Sequence, residues 1–134
     1  MIAVDTSVVV AGFASWHEGH ETALSILARK PRLPAHALIE TYSVLTRLPP
    51  PHRAPAGLVA TFLSERFPAA LLTLPGTAHR AVLESAVAAG LTGGMIYDAL
   101  IAETAKRAGA QLLTRDRRAL LTYEKIGVRH ELIA

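Results

Sequence analysis

The stretch MIYDALIAETAKRAGAQLLTRD, residues 95–116, decides the fold class. From Met95 to Ala108 its apolar residues recur at helical spacing, and Gly109 closes the helix as glycine commonly does. Ala110 to Thr114 then reads as a short strand, and Asp116 stands just past its end. A helix that turns directly into a buried strand is a building unit of α/β folds. Inside the helix, at about 100° per residue, Ile101, Ala102 and Ala105 fall around Asp98 and put a carboxylate in the middle of the apolar face. Glu103, Thr104 and Arg107 are expected on the opposite, solvated face, where an ordinary acid would sit. Burying an ionised Asp is costly without a partner, so Asp98 calls for a bound cation or a structural ion pair with a buried Arg.

The same alternation extends toward both ends. Ile2 to Val4 reads as a buried strand ending in Asp5, and Thr6 or Ser7 can cap a helix running through Val8, Val9 and Val10 to Phe13. Ser15, Trp16, His17 and Glu18 spell a capping box, which predicts a helix from His17 to about Arg29, before Pro31. A helix over Ala37 to Leu48 ends at Pro49, Pro50 and Pro51, a run that marks a loop. Further elements are expected as a helix over Pro55 to Arg66, a strand over Ala69 to Leu74 and a helix from Thr77 that Gly90 terminates. Beyond Asp116 come a short helix, Arg117 to Lys125, and a last strand, Val128 to Leu132. Strands alternating with helices predict a mainly parallel sheet covered by helices on both faces, with no repeat, linker or low-complexity tract.

The chain has 134 residues, 51% of them hydrophobic, enough for one well-buried core and too few for two, so one domain over residues 1–134 is expected. Met1 to Ala14 is apolar but lacks a basic leader and carries Asp5, so it reads as structure and not as a signal peptide. No uninterrupted apolar run approaches the roughly 20 residues needed to cross a bilayer. A soluble, cytoplasmic protein is expected. The absence of cysteine removes disulfides, thiolate zinc sites and cysteine nucleophiles together. A net charge of +3 is compatible with an acidic partner, without requiring one.

Only three aspartates occur, and two of them, Asp5 and Asp116, follow strands. Ligands of open α/β sheets gather beyond the carboxyl ends of strands, so these two face one crevice if their strands are neighbours. Either could equally be the cap of the helix it precedes. Glu40, near His36, Ser43, Val44 and Arg47 on its helix, could be an acid of the first turn favoured by the helix dipole. The basic groups Arg47, His52, Arg53 and Arg115, Arg117, Arg118 could guide an anionic backbone or simply be solvated surface. His17 and His20 are expected on one helix face as exposed or partly packed side chains in preference to metal ligands, and Trp16 as a core or hydrophobic contact at the helix start in preference to a base-stacking platform.

The stretches Ala3-Val4-Asp5-Thr6-Ser7, Glu40, Tyr97-Asp98-Ala99-Leu100 and Leu113-Thr114-Arg115-Asp116 resemble the PIN-domain family, end to end. The small size and the run from Thr114 to Arg118 resemble its VapC toxins. The resemblance implies a three-layer α/β/α sandwich with a mainly parallel central sheet, and a metal-dependent endoribonuclease. It further implies that Asp5, Glu40, Asp98 and Asp116 bind one or two Mg²⁺ or Mn²⁺ ions, Glu40 directly or through water, with Thr114 supporting them. Carboxylate oxygens without thiolates suit such hard cations. Ser7 departs from the family pattern, standing where many relatives carry Asn. The implied partners are RNA, a VapB-like antitoxin of a type II toxin–antitoxin pair, and a second copy in a homodimer. Two phosphotransfer folds also put acid at strand ends. Haloacid-dehalogenase phosphatases, however, need an Asp where Ser7 stands, and response-regulator receivers need an acidic pair where only Asp5 is present. A non-catalytic PIN scaffold binding RNA or protein is the remaining alternative.

Overall fold

The computed structural model describes all 134 residues. In chain order it contains β1 (Ile2–Val4), α1 (Thr6–Phe13), α2 (His20–Leu27), α3 (Ala35–Thr46), α4 (Ala56–Arg66), α5 (Gly76–Ala89), α6 (Met95–Arg107), β2 (Gln111–Thr114), α7 (Leu120–Ile126) and β3 (His130–Leu132). A single 3₁₀ turn, Arg117–Ala119, leads into α7. The sheet runs β1-β2-β3, and both pairings are parallel. Because Val4 pairs with Leu113, the chain leaves β1 and β2 side by side at the same edge of the sheet. Asp5 and the Thr114–Asp116 segment therefore emerge as neighbours, the condition on which their sharing a crevice depended.

Helix α1 packs against α2 and α3, while α6 lies between α5 and α7 and also touches α3 and β2. Val4, Val8, Val9, Ile101, Leu112 and Leu113 belong to one hydrophobic cluster, all of them essentially sealed from solvent. Burial of each larger side chain contributes roughly 1.5–3 kcal/mol, and this cluster holds the sheet edge in place. Gly12 lets α1 and α2 approach closely: a Cβ there would come within 2.4 Å of Leu27 Cδ1. Gly90 caps α5 in the left-handed region at φ 71°, which is why the helix stops there.

Four expectations need correction. The helix predicted from His17 begins at His20, with Gly19 and no side chain as its cap; Glu18 is exposed, and residues 14–19 form turns instead. The strand expected over Ala69 to Leu74 is reduced to a bridge between Pro34 and Leu72. Leu72 gives and receives one bond each with Leu33 and Ala35, and Pro34 between them has no N–H to extend the ladder. Thr104, expected on a solvated face, is buried and bonds back to Leu100 O, because α6 is covered on more than one side. Trp16 is not a core contact; it is 50% exposed. No helix is long and apolar enough to cross a membrane.

Candidate active site

The turn from β1 into α1 carries the first acid. Asp5 is buried and caps α1, its Oδ1 accepting from Ser7 N at 3.0 Å. The Ser7 hydroxyl donates to the same oxygen at 2.5 Å, and the Tyr123 hydroxyl donates to Oδ2 at 2.7 Å. Burial pushes the Asp5 carboxyl above its ordinary value, with the hydroxyls of Ser7, Thr114 and Tyr123 opposing the rise. Burial and the neighbouring Asp5 charge push the Tyr123 phenol far up, so it stays a donor. One residue on, the Thr6 hydroxyl donates to Glu40 Oε1 at 2.5 Å and ties the start of α1 to α3.

The end of β2 carries the second group. Thr114 is fully buried, and its Oγ1 accepts from Asp116 N at 3.0 Å and lies 3.4 Å from Ser7 Oγ. Ser7 Oγ also accepts from Arg115 N at 2.8 Å. Ser7 thus joins the two strand ends, donating to Asp5 and accepting from the backbone beyond β2. Asp116 caps the 3₁₀ turn through Arg118 N at 2.9 Å. The Arg118 guanidinium sits 3.5 Å from the same carboxylate, but that side chain is 94% exposed, so the pair contributes little.

Asp98 lies in the first turn of α6, partly buried. Its carboxyl is raised from 3.8 to about 6, first by desolvation and then by the charges of Asp116, Glu40 and Asp5, with Arg118 opposing. No buried Arg pairs with it. Glu40 lies in the second turn of α3, which begins at Ala35, so the helix-dipole account of this residue does not hold. His36 Nε2 faces Glu40 Oε2 at 3.5 Å without completing a hydrogen bond.

These side chains line one cleft of about 370 Å³: Asp5, Glu40, Asp98 and Asp116, with Ser7, His17, Arg115, Arg118 and Tyr123 around them. Thr114 supports it from below through Ser7 and Asp116. The acids surround the cleft without converging, and no three Asp, Glu or His groups stand as ligands of one ion. The donor set still fits a hard cation, because an ion such as Mg²⁺ commonly takes one or two carboxylates and keeps several waters. Of the basic residues singled out in the sequence, only Arg115 and Arg118 reach the cleft; Arg47 bonds Ser43, Arg53 bonds Leu48 O, and Arg117 points to solvent.

Two cleft residues were not foreseen. Tyr123 offered a faint signal, since a buried tyrosine hydroxyl needs a polar partner. His17 was placed on a helix, whereas it sits in the turn before α2. Its Nδ1 accepts from Gly19 N at 3.0 Å, and its pKa is lowered by burial and then by the adjacent Arg115 charge.

Residues 2–125 match the family model described as PIN domain. The chain is 53% identical to Ribonuclease VapC40 of Mycobacterium tuberculosis over 133 residues, 99% of each chain. Among solved structures it resembles Mycobacterium tuberculosis VapC20, a sarcin–ricin loop cleaving toxin, with a TM-score of 0.72, 20% identity and coverage of 90% of this chain and 94% of that one. It also resembles VapBC2 from Rickettsia felis, solved bound to a DNA fragment from their promoter, with a TM-score of 0.68, 16% identity and full coverage of both chains. At these two identities the likeness concerns the fold.

Proposed function

We propose that this chain, which belongs to the PIN-domain family and within it to the VapC ribonucleases, cleaves RNA phosphodiester bonds with a bound Mg²⁺ or Mn²⁺ ion as the toxin of a toxin–antitoxin pair. One observation carries the reading: Asp5, Glu40, Asp98 and Asp116 come from four separate parts of the chain to one cleft, where burial first and then the charges of the other three raise Asp98 to about 6. Gathering like charges is unfavourable, and a cation between them makes the arrangement favourable. Asp5, Asp98 and Asp116 would hold the ion, with Glu40 joining directly or through water. When bound, such an ion neutralises charge on the phosphodiester and supplies a nucleophile at neutral pH.

The remaining side chains orient and attract. Ser7 and Tyr123 fix both oxygens of Asp5, and Thr114 fixes the backbone of Asp116, so the carboxylates keep their directions when the charge between them changes. Arg115 and Arg118 set positive charge at the rim of an acidic cleft and bring the RNA backbone to it. The partner is an antitoxin, and an Arg of its inhibitory segment would compete with metal for the four carboxylates, since its planar fork engages them bidentately. A homodimer through α3 would cover Ile39 and Tyr42, large side chains 66% and 41% exposed. Sedimentation as a monomer at micromolar concentration would rule that dimer out.

The decisive experiment is incubation of labelled single-stranded RNA with the protein in Mg²⁺, in Mn²⁺ and in EDTA. Cleavage in either metal, abolished by EDTA and by Asp116→Asn, is expected. Persistent cleavage in EDTA would remove the metal from the reading, and intact RNA under all conditions would leave a non-catalytic scaffold.

A further inference from the structure

We propose that Trp16 and His52 form a stacking platform for one unpaired base of the RNA, set beside the cleft and joined to it by His17 and Arg115. The proposal rests on the RNA-cleaving reading above and assigns that site a position for a flanking nucleotide.

Trp16 comes from the turn between α1 and α2, and His52 from the proline loop between α3 and α4. Their rings stack with centroids 4.0 Å apart and an interplanar angle of 29°. Although His52 covers part of the indole, half of Trp16 stays exposed, and His52 is exposed as well. A large aromatic is thus displayed at the surface with one face against a second loop. The turn that displays it is the one that replaces the first part of the predicted helix.

The platform is continuous with the cleft. The Trp16 ring lies 5.8 Å from that of His17, and His17 lines the cleft. Arg115 Nη1 stands 3.4 Å and 3.5 Å from the two ring nitrogens of His17, so the guanidinium lies against the ring and engages both about equally. That position exists because residue 19 is glycine: a Cβ there would meet Arg115 Cζ at 2.2 Å. Gly19 N also donates to His17 Nδ1, which fixes the ring. From the acids outward, the order is therefore a guanidinium, an imidazole, an indole and a second imidazole. Grooves that bind single strands combine these two features, positive charge along the backbone and aromatic faces under the bases. The other aromatic pair near the acids, His36 and Tyr97, has rings 5.1 Å apart, and its His36 faces the Glu40 carboxylate instead of a guanidinium.

Trp16 is the only tryptophan, so its fluorescence reports on this position alone. The Asp116→Asn protein, in Mg²⁺, is titrated with an unstructured RNA of about 8 nucleotides. Trp16 emission and the anisotropy of a labelled copy are followed together. Quenching with the same midpoint as the anisotropy is expected. In the otherwise wild-type protein, Trp16→Ala should raise KM for cleavage by about 5- to 100-fold with kcat little changed, and Trp16→Phe should restore most of it. Anisotropy that rises while Trp16 emission and its acrylamide quenching stay constant would overturn the platform and leave the RNA reading standing. Absence of both RNA binding and cleavage would overturn both. A KM unchanged in Trp16→Ala, with only a lower urea midpoint, would make the pair a clamp between loops. Emission that answers to a protein partner and never to RNA would assign the surface to that partner and also overturn the proposal.

Discussion

Replacing Asp98 by Asn keeps the side-chain volume and removes one of the four negative charges that face the cleft. The Asp98 carboxyl is raised from 3.8 to about 6 by burial and by Asp116, Glu40 and Asp5, so the native state holds its proton more tightly than the unfolded chain does. Wild-type stability should therefore fall as pH rises from about 4 through about 6 and level off above that window. At about 1.4 kcal/mol per unit, the full shift corresponds to about 3 kcal/mol. Because Asp98 is only partly buried, screening by solvent reduces this to roughly 1–2 kcal/mol. Urea unfolding in EDTA at pH 7.5 should show Asp98→Asn more stable than wild type by that amount, and the two should converge near pH 4. Adding Mg²⁺ should stabilise the wild type through binding to the native state and the variant distinctly less. RNA cleavage by the variant should fall more than about 100-fold, beyond the usual effect of losing a residue that only supports a metal ligand. A variant less stable than wild type in EDTA, or equally stabilised by Mg²⁺, would refute the picture of a charge cluster awaiting a cation.

Tyr123→Phe removes the donor to Asp5 Oδ2 and should cost about 1.5–3 kcal/mol in urea unfolding, as for other hydrogen bonds to a charged group, with a weaker metal response by calorimetry. Gly19→Ala should drive the flexible Arg115 guanidinium away from His17, weakening RNA binding in filter assays, at a stability cost of about 1 kcal/mol because Gly19 is buried and caps α2. Arg118→Ala should lower the slope of log affinity against log salt by about 1, whereas Arg117→Ala, whose side chain lies outside the cleft, should leave it unchanged.

The α/β alternation was legible because helix and strand periods differ, and Gly90, Gly109 and the prolines mark the boundaries. Asp98 was legible for a related reason: an acid inside an apolar stripe violates local logic, and its raised carboxyl is the physical counterpart of that violation. What stayed hidden depends on tertiary neighbours. The capping box at Ser15 to Glu18 is locally sound, yet the segment forms turns in which His17 bonds Gly19 and lies against Arg115, a residue 98 positions away. Tyr123 finds Asp5 across 118 positions, and no local pattern announces such a pair.

For Asp5 and Asp116 the sequence leaves helix cap and functional acid as alternatives, and the geometry explains why: the two coincide. Each residue caps the segment that follows it through Oδ1, Asp5 receiving Ser7 N and Asp116 receiving Arg118 N. A carboxylate has two oxygens and about four lone-pair positions, so a capping bond leaves acceptor capacity facing the cleft. Capping also orients the group, since it fixes the carboxylate relative to the strand end it follows. The same residue type is therefore selected twice at one position, once by the orphan N–H groups of a helix start and once by the chemistry beyond the sheet. Glu40 sits in the second turn of α3 and Asp98, in the first turn of α6, makes no capping bond, so their presence in the same cleft is what separates the two meanings. A substitution that preserves the cap but not the charge tests this directly. Asp116→Asn can still accept from Arg118 N, so native stability should change by no more than about 1 kcal/mol while metal-dependent cleavage is lost. If Asp116→Asn instead cleaves as the wild type does, capping is the residue's whole role.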